Sequence, residues 1–308
     1  MSVLHTPVLA EEVIEWLRIR PDGIYVDATT GTGGHTFEIA RRLTTGWVVG
    51  LDRDPQALAI ARERLKEFEK RVVLVHAEFS QIGEVMRGEL PGSMKLPLAD
   101  GVIADLGISS LELDTPERGF SFRWAGPLDM RMNPDNPLTA GEIVNYWPEK
   151  ELANVLYEKA EERDSHRIAR AIVRARPIRD TEHLATVVAG VRKARGRQKL
   201  HPATKTFLAL RIAVNREEEE LGQFLSGTPA TISPEGRWIV ISYHSLEDRL
   251  VKHEFQRLGR EGSFQVLTKK VIVPGEEEIS RNPRSRSAKM RVAEKVNPAA
   301  GQVAEEYA

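Results

Sequence analysis

Three short apolar runs near the start of the chain end on an aspartate. Residues 24–26 run into Asp27, 47–51 into Asp52 and 102–104 into Asp105. A fourth run, 72–75, is followed by His76, Glu78 and Phe79. Between the runs lie stretches of helical patterning over 36–43 and 56–68. Strands of four to eight apolar residues alternating with helices predict a parallel, doubly wound sheet. Ligands of such sheets bind beyond the carboxyl ends of the strands, where these acids fall. Asp54 ahead of Pro55 is a good N-cap for the second helix.

The turn after the first run reads Asp27-Ala-Thr-Thr-Gly31-Thr-Gly33-Gly34-His35. Glycines there let the chain turn tightly and bring backbone N–H groups near a ligand. Asp52, about twenty residues beyond Gly31, is placed to accept both hydroxyls of a ribose. A dinucleotide fingerprint requires a third glycine where Thr36 stands, and a phosphate loop requires Gly-Lys-Ser/Thr. Asp27 beside the turn would repel a pyrophosphate. It suits a nucleoside whose other end is a cationic amino acid, as in S-adenosyl-L-methionine. Phe79 can pack on the adenine or simply belong to the core.

Asp105-Leu-Gly107-Ile-Ser109-Ser110 follows the run 102–104 and faces the acceptor side of such a cofactor. Asp105 and Ser109 are therefore candidates for the chemistry. Asp105 can equally bind the cofactor or shape a turn. A second polar cluster, Ile241-Ser-Tyr243-His244-Ser245-Leu-Glu-Asp248-Arg249, follows another apolar run. Tyr243 and His244 can border an acceptor pocket, which makes His244 a third candidate for the chemistry. Ser245 reads as an N-cap with Asp248 three residues on.

The alternation breaks after Leu111. Residues 113–147 are rich in Gly, Pro, Arg and aromatics, and helical patterns follow over 149–162, 165–175, 181–194 and 203–225. Strand character returns at 238–242, then a helix over 246–258 and strands near 264–267 and 271–273. The division expected is an α/β domain of residues 1–112 and 214–308, interrupted by a mostly helical, substrate-recognising insert of 113–213.

Several blocks in order resemble the MraW type of ribosomal RNA small-subunit (cytosine-N4)-methyltransferases. They are His5-Thr-Pro7-Val8-Leu9, DATTGTGGHT (27–36), ADLGISS (104–110), RGFSF (118–122), GPLDMRM (126–132), ALRIAVNRE (209–217), ISYHSLEDR (241–249) and NPRSRSAKMR (282–291). The resemblance implies a Rossmann-like methyltransferase domain with a helical insert. It also implies methylation of a cytidine at the decoding centre of 16S ribosomal RNA in the small subunit. By matching positions, Gly33, Gly34, His35, Asp52, Phe79 and Asp105 would contact the cofactor. Glu112 falls where a glutamine, able to donate, is expected. With Asp27 and Gly31 these make up the expected cofactor site.

The formal net charge of -1 does not announce a nucleic-acid binder, but its distribution matters more than its sum. Basic residues gather at 163–179, 192–205 and 281–295. Arg284, Arg286, Lys289 and Arg291 can neutralise phosphates. Arg118 and Arg123 beside Phe120, Phe122 and Trp124 suit an unstacked base, with Arg131 nearby, and suggest a lid over an extruded cytidine. The alternative is a small aromatic core. With no cysteine, thiolate chemistry is excluded. No metal is called for, since no His/Asp/Glu group has convincing ligand spacing. No apolar run approaches the roughly 20 residues of a membrane span, so a soluble, cytoplasmic protein without a membrane partner is expected. The sequence leaves oligomeric state open, a homodimer included. A non-catalytic RNA-binding assembly factor that holds a nucleoside is the competing reading.

Overall fold

Residues 24–27 form β1 and are buried on both sides, as their unbroken apolar character requires. The structure, a computed structural model, describes residues 7–90, 94–191 and 201–298. It divides into two compact units, one of 1–107 with 219–308 and one of 108–218. The expected cuts at 112/113 and 213/214 fall inside the helices Ser110–Asp114 and Thr204–Val214. The first observed border lies between the strand Ala99–Asp105 and the helix Ser110–Asp114, and the second falls within the helix Glu217–Gly227.

In the first unit, α1 (Ala10–Leu17) precedes β1. Then come α2 (Gly34–Ala40), β2 (Trp47–Asp52), α3 (Pro55–Arg64) and β3 (Val72–His76). The short α4 (Ile82–Val85), a β4–β5 hairpin (Glu89–Leu90 and Met94–Lys95) and β6 (Ala99–Asp105) follow. The sheet has seven strands in the order β3-β2-β1-β6-β7-β9-β8, where β7 is Ile232–Ser242, β8 Phe264–Val266 and β9 Lys289–Lys295. β3, β2, β1, β6 and β7 run parallel, and β9 pairs antiparallel with β7 and β8. The chain order reverses between β1 and β6, which is where ligands of open α/β sheets bind.

Side chains alternate between two cores. Val26, Val102, Ala104, Trp238 and Val240 enter one, with Phe224 and Phe255. Tyr25, Ile103, Ile239, Ile241 and Val292 enter the other, with Val13 and Leu17 of α1. Asp54 caps α3 as its sequence suggests, accepting from the N–H of Gln56 at 2.9 Å with Pro55 at the first helical position.

Residues 289–295 of the basic segment form β9 inside the sheet, where alternate residues Met290 and Val292 are buried. One expectation fails here. Residues 271–273 form no strand beyond a bridge from Ile272 to Met290.

The second unit holds α5 (Ser110–Asp114), α6 (Ala140–Tyr146), α7 (Glu149–Ala160), α8 (Ser165–Arg174), α9 (Thr181–Val191) and α10 (Thr204–Val214). One core joins Leu152, Leu156, Ile168, Ile172, Leu184 and Leu210. The helix expected over 203–225 is broken: α10 stops at Val214 and α11 (Glu217–Gly227) starts after Arg216, whose φ is 50°. Asn215 at the break is buried. Its amide donates to the carbonyls of Met130 (2.8 Å) and Arg211 (2.9 Å), and its oxygen accepts from Met132 N–H at 2.7 Å. The side chain thus replaces a turn of helix with a clamp on the loop. The basic residues 192–200 and the opening His5-Thr lie outside the described residues. Among the described residues no helix is long and apolar enough to cross a membrane.

Candidate active site

Asp27, at the end of β1, is fully buried and held by threonines. Thr36 Oγ1 donates to Oδ2 at 2.6 Å and the Thr29 N–H to Oδ1 at 3.2 Å. Thr36 occupies the position where a dinucleotide site has glycine, and its hydroxyl is what Asp27 uses. Burial pushes the Asp27 carboxyl above its ordinary range, opposed by His35 and by these hydrogen bonds. A buried carboxylate with mostly neutral partners gains from a cationic ligand.

Gly33 sits at the N-cap of α2 with φ 84°, a region other residues rarely adopt, and a Cβ there would press on Leu65 at 3.2 Å. Gly34 opens the helix. Asp52, at the end of β2, accepts from Gly31 N–H at 2.7 Å and Asp54 N–H at 2.8 Å. Burial pushes its pKa up against those bonds. Each oxygen keeps a lone pair for a further donor. Phe79 sits in the core edge-on to Phe224 at 5.3 Å, with the Arg53 guanidinium 5.9 Å from its ring centre. Its main contact is therefore packing.

Asp105 ends β6. Its N–H donates to Thr29 Oγ1 at 2.6 Å, tying the β1 and β6 loops together. Oδ1 accepts from the Tyr243 hydroxyl at 2.8 Å, and Oδ2 lies 3.6 Å from His35 Nε2. Both ring nitrogens of His35 are buried and make no hydrogen bond. Burial, with the Asp105 charge second, pushes the Tyr243 phenol well above its ordinary pKa, so it stays a donor. Gly107, with φ 105°, lets the chain pass over the Tyr243 ring, since a Cβ would lie 3.2 Å from Cδ2. Tyr243 was noticed in the sequence only as a pocket border. Its bond to Asp105 spans 138 residues and has no local signal.

α12 (Ser245–Arg260) takes its cap from His244, one residue before the expected Ser245, and Glu247 rather than Asp248 is the third helical residue. Glu247 accepts from Tyr243 N–H at 2.8 Å and His244 N–H at 3.3 Å. His244 Nε2 lies 3.0 Å from Glu247 Oε1, within ion-pair range, without hydrogen-bond geometry. Asp248 instead pairs with Arg291 at 2.7 Å and, more loosely, Lys289 at 3.6 Å. Arg291 and Lys289, both on β9, thus have an acid partner within the protein. Arg286 is exposed. Arg284 is half-buried, and its N–H donates to Asn282 at 3.3 Å.

The remaining candidates lie in the second unit. Ser109 caps α5 with Glu112 in reciprocal bonds of 2.7 and 3.2 Å, so both side chains support the helix start. Glu112 is buried, with Arg118 3.9 Å away. Arg118 donates to the carbonyls of Arg131 (3.0 Å) and Met132 (2.9 Å). Arg131 grips Asp129 through two bonds of 3.0 and 2.8 Å and donates to Pro134 and Asn136 carbonyls. Phe120 is buried in the helical core, and Phe122 packs on Phe207 at 4.9 Å. Phe120 and Phe122 therefore pack with the helical core. Arg123 and Trp124 (62% exposed) stay outside it.

The model of the MraW methylase family matches residues 2–296. The chain is 49% identical over 299 residues to the ribosomal RNA small subunit methyltransferase H of Koribacter versatilis, covering 94% of this chain and 93% of that protein. It is 47% identical to the protein of the same name from Acidobacterium capsulatum, covering 94% and 98%. Against that from a Cyanothece species it is 48% identical, covering 97% of each. With a family match across nearly its whole length and relatives at about half identity, this chain belongs to the MraW methylase family.

Proposed function

We propose that this methylase uses S-adenosyl-L-methionine to methylate N4 of a specific cytidine at the decoding centre of 16S ribosomal RNA, within the small ribosomal subunit in the cytoplasm. The observation that carries this reading is Asp105 at the strand reversal, one oxygen held by Tyr243 and the other turned toward His35. The names of the relatives support the ribosomal RNA substrate. The cofactor fits the residues present. Asp27 is a buried carboxylate suited to an α-amino group, Asp52 has lone pairs for ribose hydroxyls, and His35 has two buried nitrogens without hydrogen bonds.

S-adenosyl-L-methionine supplies a methyl group activated by its sulfonium. The exocyclic amine of cytosine is a weak nucleophile because its lone pair is shared with the ring. Asp105 accepts a hydrogen bond from that amine, which favours pyramidal nitrogen and frees the lone pair. Tyr243 fixes the carboxylate so that the amine meets it in one orientation, and positioning of this kind supplies much of the rate. Among the RNA candidates, Arg123 and Arg286 are exposed for phosphate contact and Trp124 for base stacking.

The test is transfer of labelled methyl from the cofactor to undermethylated small subunits, followed by digestion and identification of the nucleoside. Label in N4-methylcytidine or its 2′-O-methyl form, lost in Asp105→Ala, is expected. Label in another nucleoside would overturn the cytidine assignment. Cofactor binding without label would favour a non-catalytic assembly factor.

A further inference from the structure

Between Ser165 and Arg179 the chain carries five arginines and a histidine and no acid. This stretch includes α8, which buries Ser165, Ile168, Ala169 and Ile172 in the helical core. Its opposite face exposes Arg167, Arg170 and Arg174, with Arg163 in the turn before it and His166 alongside. Steps of three and four residues keep Arg167, Arg170 and Arg174 on one side of the helix, with Arg163 in the turn that precedes it. From Arg167 to Arg174 the helix rises about 10 Å. Arg176 is not part of this face, since its guanidinium donates to the carbonyls of Val144 (2.8 Å) and Trp147 (2.6 Å).

The face is poorly neutralised. Arg167 lies 3.3 Å from Asp164 and donates to the Val191 carbonyl at 3.1 Å, and Arg170 lies 3.3 Å from Glu149, yet the two arginine side chains stay 63% and 59% exposed, unlike that of Arg176. Such exposed pairs contribute little and exchange readily for another anion. Along the helix each of these arginines has another one turn away, an arrangement that repels itself. A face made only for solvation looks different in the same protein. On α12, Arg257 lies between Glu254 and Glu261, with contacts of 2.6 Å to each. The self-repulsion on α8 is relieved when a polyanion lies along it.

We infer that the arginine face of α8 is a docking surface for the phosphate backbone of RNA, separate from the groups assigned to methyl transfer. The inference rests on the RNA substrate proposed above. It adds where on the helical unit that substrate is gripped and what chemistry grips it.

The test compares the full chain with a variant carrying Arg163→Gln, Arg167→Gln, Arg170→Gln and Arg174→Gln. Binding to small subunits and to protein-free 16S RNA is measured across a potassium chloride series. The dissociation constant at low salt is expected to rise at least thirtyfold. The slope of log affinity against log salt is expected to become shallower by about 3, because roughly 0.7–0.9 counterions are released per phosphate contact. Lysine at the same four positions restores most of the slope, which a folding defect would not allow. S-adenosyl-L-methionine affinity stays unchanged.

Wild-type affinity and slope in the glutamine variant would overturn the docking surface and leave methylation standing. Weaker binding to subunits with unchanged slope, and unchanged binding to free RNA, would assign the face to a ribosomal protein and also overturn it. Wild-type protein that binds with the expected slope yet transfers no methyl group would overturn the methylation reading alone. No binding to either by the wild type would overturn both.

Discussion

Asp105 takes its orientation from Tyr243, whose hydroxyl bonds one oxygen while its ring lies under Gly107. Tyr243→Phe keeps the ring and removes only the donor. A hydrogen bond to a charged group is worth about 1.5–3 kcal/mol, so methyl transfer should slow by roughly ten- to hundredfold. Single-turnover rates with cofactor binding measured in parallel would check this. A rate that falls only in step with cofactor affinity would place the phenol in binding instead. Asp27 poses a different problem, because its raised pKa, due first to burial, shows that the ligand-free protein bears a carboxylate at a cost. With the folded pKa above the unfolded one, Asp27 favours folding least once pH has passed both. Asp27→Asn should therefore raise the melting temperature of the ligand-free protein at neutral pH by a few degrees, roughly 2–4 °C per kcal/mol. It should weaken S-adenosyl-L-methionine at least tenfold by titration calorimetry. Unchanged cofactor affinity would remove Asp27 from the site.

The elements were legible where sequence pattern and burial agree. β1, β2 and β6 end at or beside the aspartates that announce them, because strands buried on both faces are continuous apolar runs. α1 was missed although Leu9, Val13 and Leu17 recur at helical spacing and are all buried. Its left-handed residues Leu9 and Arg18 offer no familiar capping signal. β9 has no clear signal in the sequence because Lys289 and Arg291 interrupt its apolar residues, and the acid that holds them, Asp248, lies far away in sequence. The aromatic segment was ambiguous for a similar reason: Phe120 and Phe122 face partners that only the tertiary fold supplies. The break between α10 and α11 was hidden because apolar spacing continues through it, and only the clamp made by Asn215 reveals it. Asn215→Ala would leave Met132 N–H and the Met130 carbonyl without these partners. At about 1–3 kcal/mol for each of the two buried groups, stability should drop by roughly 2–6 kcal/mol. Urea unfolding would register this as a lower midpoint with the same slope, and a change below about 0.5 kcal/mol would deny the clamp its role.

Across the whole molecule, two carboxylates, Asp248 and Asp129, are held low and so favour the folded state less in acid, opposite in sense to the raised Asp27, Asp52 and Glu78. Burial pushes Asp248 up, but hydrogen bonding and charge from Arg291 and Lys289 win and leave it below its ordinary value. At Asp129, burial is likewise outweighed by Arg131. Both bind a proton less tightly when folded. Their contribution is therefore complete above about 3.9, the unfolded carboxyl value, and is lost as pH falls through their folded values. Acid titration followed by circular dichroism should show Asp248→Asn losing stability near neutrality and converging on the wild type in acid. Parallel curves at all pH values would deny the pair a part in acid unfolding.

The sheet is assembled from two distant stretches of one chain. β6 pairs with β1 from the first hundred or so residues and with β7, which begins at Ile232 after the helical unit of 108–218. During synthesis at about 5–20 residues per second, β6 waits roughly ten seconds for that neighbour. The helical unit, continuous in sequence, is complete before β7 exists. The nascent protein thus finishes the part proposed to grip RNA first, while the strand that ends in Asp105 still has one edge unpaired, a bare row of N–H and C=O groups. A chain with this order of events gains from folding its insert quickly and from keeping that edge covered until β7 arrives.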